Sequence, residues 1–190
     1  MIISDQTVSA FLRLLNTEQI SYGVGGSLLL RYNNLAVEVH DLDIVVCPGD
    51  VAKAAQLLEC YRCLGRDKAN PNYRSAFFAE YRYMDLDVDV MSGMKIRYND
   101  LWYELMVDES YPFVRKNGLS LMKLEDWYVL YYLMGRSDKV SLLQDHLISS
   151  DSLDRSRIVY LINQHWPIDL HRQLNFILQS NKAGIVDNRL

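Results

Sequence analysis

The stretch Met84-Asp-Leu-Asp-Val-Asp-Val-Met91 constrains this chain more than any other, because aspartate and apolar residues alternate along it without a break. A period of two matches the pleat of a β-strand, in which successive side chains point to opposite faces. Asp85, Asp87 and Asp89 then share one face, and Leu86, Val88 and Val90 the other. Asp41-Leu-Asp-Ile-Val-Val-Cys47 repeats the pattern, with Asp41 and Asp43 on one side and Leu42 and Ile44 on the other. Two such strands make a sheet with a core face and a face crowded with carboxylates. Like charges resist desolvation together unless a cation compensates them. Mg²⁺ suits that role, since it takes hard oxygen ligands from one or two carboxylates and from substrate phosphates. Two ions about 4 Å apart stabilise both the attacking and the leaving oxygen of an in-line phosphoryl displacement. Taken singly, Asp-x-Asp also describes the solvated face of an edge strand. Two clusters on two strands, joined to a glycine turn, argue for a site.

That turn is Gly25-Gly26-Ser27, between a short strand in Ser21–Val24 and a helix opening at Leu28. Glycine lets backbone approach a phosphate closely, the N–H groups of a helix start suit an anion, and Ser27 adds a hydroxyl donor. Gly-Gly-Ser alone is also simply a loop. Its weight comes from order: strand, Gly-Gly-Ser, helix, Asp-x-Asp starting 15 residues past Gly26, then a later acidic strand.

Around these segments the pattern reads as α+β. Residues 5–19 are an amphipathic helix with Ser4 or Asp5 as N-cap, and residues 50–58 a second one with an acidic N-cap. Strands are expected near 75–82 and 84–91, with Ser92-Gly93 breaking the latter, then a strand, a turn at Asn99-Asp100 and another strand up to Met106. Near Ser120 the period changes from two to 3.6, and helices follow at 125–134, 139–148, 156–164 and 170–179. The expectation is a mixed-sheet core over residues 1–119 with helices on one face, then a helical region over 120–190.

The net charge of −4 argues mildly against a dedicated nucleic-acid binder. No apolar run approaches the ~20 residues of a membrane helix. Three cysteines and no leader-like segment point to the cytoplasm. Cys60 and Cys63 have CxxC spacing without a second ligand pair, so they and Cys47 read as buried, inert thiols.

Gly-Gly-Ser followed by Asp-x-Asp and a third acidic strand resembles the DNA polymerase-β nucleotidyltransferase superfamily, whose small bacterial members include antibiotic adenylyltransferases and halves of toxin–antitoxin pairs. His40-Asp-Leu-Asp43 is similar to the His-Asp-x-Asp-x-Asp stretch of some antibiotic adenylyltransferases, and Val88-Asp-Val-Met-Ser-Gly93 to the third-carboxylate strand of small bacterial nucleotidyltransferases. The motifs span residues 22–93; the helical tail matches only in kind. The resemblance implies that Gly25, Gly26 and Ser27 grip the phosphates of an NTP, with ATP the expected donor. It implies that Asp41 and Asp43 hold two Mg²⁺ ions. The third carboxylate, which completes the metal site and draws the proton from the attacking hydroxyl, is Asp89 by its central place on the strand. Matching Phe78-Ala-Glu80 to the antibiotic enzymes favours Asp87 instead, and period two does not separate them. Asp85 is peripheral.

Arg31, one turn past Ser27, and Arg136 and Lys139, between two helices of the tail, are further candidates for the triphosphate; each is also an ordinary surface cation. His40 either orients Asp41, contacts nucleotide or simply caps a strand edge. Trp127, Tyr128, Tyr131 and Tyr132 fit a helix core better than a base-stacking box, whereas Trp102 and Tyr103 are candidates for an acceptor pocket. The acceptor is expected to be a small hydroxylated molecule such as an antibiotic. A tRNA end or a protein is the alternative acceptor, and a silent, antitoxin-like nucleotide binder the alternative to an enzyme. A structural Ca²⁺ site ranks below these, since the EF-hand loop pattern is missing.

Overall fold

The alternating segments become strands of one mixed sheet in the computed structural model, which describes residues 4–63, 70–151 and 153–181. The chain divides into two units, one through Lys123 and one from Leu124.

The first unit opens with α1 (Asp5–Thr17), whose Val8, Phe11, Leu12 and Leu15 recur at helical spacing and are fully buried. Short β1 (Tyr22–Val24) leads through Gly25, the N-cap, into α2 (Gly26–Tyr32). Then come β2 (Leu42–Val46) and, after a 3₁₀ turn at Pro48–Asp50, α3 (Val51–Leu58). Asp50 makes no side-chain cap to α3; its Oδ2 instead accepts from the Ser21 N–H at 2.7 Å. Next are β3 (Tyr73–Tyr83), β4 (Leu86–Tyr98) and β5 (Leu101–Glu104), joined by tight turns at Met84-Asp85 and Asn99-Asp100. Both residues of the second turn have positive φ, as the common two-residue hairpin requires.

Ser92-Gly93 does not break β4. The strand runs through it because β3 pairs with β4 along nearly its whole length, while β2 and then β5 cover its other edge. A last hairpin, β6 (Val114–Lys116) and β7 (Leu119–Leu121), turns at Asn117-Gly118, again with both φ positive. The order across the sheet is β3-β4-β2-β1-β7-β6, with β5 beside β4. The β2/β4 and β1/β7 pairs are parallel and the others antiparallel. Because β7 lies in the sheet against β1, a boundary at residue 120 would cut through a strand; the second unit begins only after Lys123.

Leu42, Ile44, Leu86, Val88 and Val90 are at most 1% exposed, so one face of β2 and β4 is core. The Phe11 ring of α1 meets Tyr83 of β3 edge-on at 5.5 Å on that side.

The second unit consists of α4 (Leu124–Leu133), α5 (Ser137–Ser149), α6 (Arg155–Ile162) and α7 (Ile168–Ser180). Residues after Asn181 lie outside the described part. Trp127, Tyr128 and Tyr131 are buried and Tyr132 half-buried, so the aromatic set of α4 serves the core. Beside it Arg157 of α6 closes on the fully buried Asp126, its Nε 2.8 and 3.1 Å from the two carboxylate oxygens. Among the described residues no helix is long and apolar enough to cross a membrane.

Candidate active site

In the parallel β2/β4 pair Asp43 stands directly opposite Asp89, between the matched apolar pairs Leu42–Val88 and Ile44–Val90. Residues in register on adjacent strands project to the same side, so the apolar pairs turn inward and the two aspartates outward. Both are half-buried. Asp41 lies just before β2, half-buried, with its charge acting on Asp89. The other edge of β4 adds a carboxylate that sequence reading passed over: Glu80 of β3 stands opposite Asp89. Arg82 stands opposite Asp87, and the two side chains form an ion pair. One row across three strands thus reads Glu80, Asp89, Asp43, and a second row reads Arg82, Asp87.

Burial first, then the negative charges of Asp41, Glu80 and Asp87, push the Asp89 carboxyl up to about 6. A carboxylate so surrounded favours whatever brings positive charge to it, whether a proton or a cation. Among the described residues no three His, Cys, Asp or Glu side chains are already gathered as ligands around a single point. The donor set itself is all hard oxygen, the kind of ligand that Mg²⁺ takes.

The glycine turn is built against this row. Gly25 N–H donates to the Asp43 carbonyl at 2.9 Å. Gly26 has φ +58°, and a Cβ there would fall 1.7 Å from Asp43 Oδ2. Only glycine allows α2 to start so close to that carboxylate. Gly25 and Gly26 are buried and Ser27 is half-buried at the first turn of α2, where N–H groups have no intrahelical partner.

The fold of this chain is found in solved structures. The chain is similar to a candidate nucleotidyltransferase from Thermotoga maritima, at 24% identity and TM-score 0.57, over 76% of this chain and 95% of that one. The chain has a nucleotidyltransferase-like fold. It is also similar to the lincosamide antibiotic adenylyltransferase LnuA, solved with lincomycin bound, at 14% identity and TM-score 0.51, over 75% of this chain and 98% of that one. No protein-family model and no curated protein matches the sequence.

Within this nucleotidyltransferase-like fold each of the other candidates has a setting of its own. Arg31 is drawn to Asp5 of α1 in a partly exposed ion pair. His40 is exposed, with its Nε2 3.4 Å from Glu38. Arg136 is exposed and Lys139 half-buried, at the start of α5 in the second unit. Asp85 is exposed in the β3–β4 turn, outside the strand. Tyr103 faces the core at 8% exposure, so of the two acceptor-pocket candidates only Trp102 is on the carboxylate side, where the Arg74 guanidinium lies 4.4 Å from its ring centre. Of the cysteines only Cys47 is buried, its Sγ 3.2 Å from the Asp108 carbonyl and its thiol pushed up to about 11, chiefly by burial. Cys60 is exposed and Cys63 half-buried, because the 3₁₀ turn carrying Cys60 sits at the rim of the sheet.

Proposed function

We propose that this chain is a Mg²⁺-dependent nucleotidyltransferase that moves a nucleoside monophosphate from an NTP, with ATP the expected donor, to the hydroxyl of a small acceptor such as an antibiotic. The observation that carries this reading is the register: Asp43 and Asp89 side by side on one face, with Gly26 packed on Asp43. Asp41, Asp43 and Asp89 would hold the metal, which when bound supplies charge neutralisation at the α-phosphate and the leaving pyrophosphate. The acceptor oxygen forms a bond to the α-phosphorus, the bond to the bridging oxygen of pyrophosphate breaks, and the hydroxyl proton passes to the Asp89 carboxylate. Asp87 is committed to Arg82, which supports Asp89 as the third carboxylate. Gly25, Gly26 and Ser27 form the turn that faces the phosphates, with the first N–H groups of α2 and the Ser27 hydroxyl as donors, while the Gly25 N–H holds the turn to the Asp43 carbonyl. The lincomycin complex of LnuA, similar in fold, supports an acceptor of antibiotic size.

The test is pyrophosphate release by the purified protein with each NTP and Mg²⁺, with and without lincosamide and aminoglycoside acceptors. Acceptor-stimulated release that vanishes in Asp89→Asn is the expected result. No release with any acceptor, combined with unchanged nucleotide affinity in Asp41→Asn and Asp43→Asn, points instead to a silent nucleotide-binding protein.

A further inference from the structure

The Cys60-Tyr-Arg-Cys63 motif takes no part in the site described above. A free cysteine is ordinarily among the most buried residues of a fold, as Cys47 is here, yet Cys60 is exposed and Cys63 half-buried. The backbone between them is fixed. Glu59–Tyr61 is a 3₁₀ turn, closed by the Arg62 N–H on the Glu59 carbonyl at 3.2 Å, and Arg62 then turns extended, with φ −64° and ψ 131°. A helical residue followed by an extended one, here Tyr61 and Arg62, is the backbone of a type VIII turn, whose end Cα atoms lie within about 7 Å. A disulfide spans about 4.4–6.8 Å between Cα atoms, so Cys60 and Cys63 stand at that reach. The turn is anchored to β3, the last strand on its side of the sheet. The Tyr61 ring meets Tyr83 at 5.2 Å, and Arg62 forms an isolated bridge with Tyr81. The Arg62 guanidinium pairs with Glu59 at 3.7 Å, and the Cys63 N–H donates to the Glu80 carbonyl at 2.9 Å.

We propose that Cys60 and Cys63 are a thiol–disulfide exchange site, oxidised to an intramolecular disulfide by a small-molecule disulfide of the glutathione type. Nothing in this pair depends on the nucleotidyl-transfer reading. Cys60, as thiolate, attacks one sulfur of the small disulfide and becomes a mixed disulfide. The S–S bond breaks, and the departing thiolate takes up the proton that Cys60 has lost. The Cys63 thiolate then attacks Cys60 Sγ, and the second small thiol leaves. Two protein thiols are oxidised and one disulfide is reduced to two thiols, so no other oxidant is needed. Access sets the order of the steps, since of the three cysteines Cys60 alone is exposed. The anchored turn makes the second step intramolecular at short range. Cys47 stays out of the exchange, being buried, with its thiol pushed up to about 11 mainly by that burial. An exposed disulfide is readily reduced again, which makes the exchange reversible. Cys63 also lies within charge range of the Arg82 guanidinium, so the exchange takes place at the rows that carry Glu80 and Arg82.

The test incubates the reduced protein with oxidised glutathione, quenches in acid, alkylates after unfolding and reads intact mass and tryptic peptides. Trypsin cuts after Arg62, so a Cys60–Cys63 bond holds two peptides together until reductant is added. Expected in the wild type are the joined peptides and one thiol left to alkylate, on Cys47, with dithiothreitol restoring all three thiols. Cys63→Ser should stop at one glutathione retained on Cys60. Cys60→Ser should react at least about tenfold more slowly than Cys63→Ser, and Cys47→Ala should behave as the wild type does. Release of the second glutathione in concentrated urea should be at least about tenfold slower than in the folded protein. Circular dichroism establishes that each variant is folded. Two glutathiones retained on the wild type, no reaction, a bond to Cys47 or between two chains, equal rates in the two serine variants, or closure as fast in urea as in the fold overturns the inference.

Discussion

Among the described residues two carboxyl groups hold their protons well above the usual carboxylate range, and they sit in opposite settings. Glu125, in α4, is 4% exposed and pushed up to about 7, mainly by burial. Its surroundings answer it: Oε1 accepts the Asp154 N–H at 2.8 Å, and the adjacent Asp126 is closed by Arg157. Asp89, on the open face of the sheet, is pushed up to about 6 by partial burial and by three other carboxylates. The helical unit has neutralised its acids from within. The sheet unit has gathered acids in one row, Glu80, Asp89 and Asp43, with the Arg82 ion pair falling on Asp87 in the next row. Removing an acid from the first setting should damage the fold; removing one from the second should damage only chemistry.

The sharpest break of that contrast is Asp126→Asn against Asp89→Asn. Asp126→Asn strands a buried guanidinium and should cost about 3–5 kcal/mol, read by urea unfolding. Asp89→Asn should leave stability at pH 8 equal or slightly higher, since it relieves repulsion, while pyrophosphate release falls at least ~10³-fold, about 4 kcal/mol in the barrier. If Asp89→Asn unfolds the protein as Asp126→Asn does, the row is a structural network and not a site.

Gly26→Ala comes next. A methyl group cannot share space with Asp43 Oδ2 at 1.7 Å, so the carboxylate must move and the positive φ becomes strained. The expected result is loss of most activity, with destabilisation of about 1–3 kcal/mol. A variant of wild-type activity would show that Asp43 need not stand where it does.

Glu125 supplies the third test. Folded Glu125 keeps its proton up to about pH 7, against the ordinary 4.5 of a free glutamate. Between those values the folded state binds more protons than the unfolded one, so stability falls as pH rises through that window and stays lower above it. The whole effect is bounded at roughly 3 kcal/mol. Glu125→Gln keeps an oxygen for the Asp154 N–H and should flatten that slope, leaving the variant more stable than wild type at pH 8. Asp89, raised in the same direction, adds a slope of the same sign below about pH 6.

How much of this could be read from the sequence depended on how far apart the interacting residues lie. Alternation within 84–91 and 41–47 was enough to place Asp43, Asp87 and Asp89 on strand faces, because the pleat is a local property. Register is not local. Glu80, named only as part of Phe78-Ala-Glu80, was not a site candidate because its place opposite Asp89 follows only once the turn is located at Met84-Asp85; counting back from that turn pairs 82 with 87 and 80 with 89. Gly93 looked like a strand end because its own preference is for a break, and three neighbouring strands overrule it. The β6–β7 hairpin was missed although Asn117-Gly118 is a strong turn signal, since its strands are three residues each and show no period. Arg31 was a phosphate candidate by its position on α2, and nothing in the sequence tied it to Asp5, 26 residues away.

The smallest expected effect bears most directly on what the sheet face is for. If the row through Asp89 awaits a divalent cation, protons and metal compete for the same oxygens. Mg²⁺ affinity, measured by calorimetry between pH 5 and 8, should be level above about pH 7 and fall by up to about tenfold per unit below the Asp89 value of about 6. Asp89→Asn should bind more weakly and lose that dependence, while Glu125→Gln, in the other unit, should change neither. Because both groups titrate within the window, the two substitutions separate them: a dependence that survives in Asp89→Asn and disappears in Glu125→Gln would move the cation away from the sheet. Equal affinity at pH 5 and pH 8 in the wild type would mean that no crowded carboxylate takes part in binding, and the contrast between an answered and an unanswered acid would lose its functional meaning.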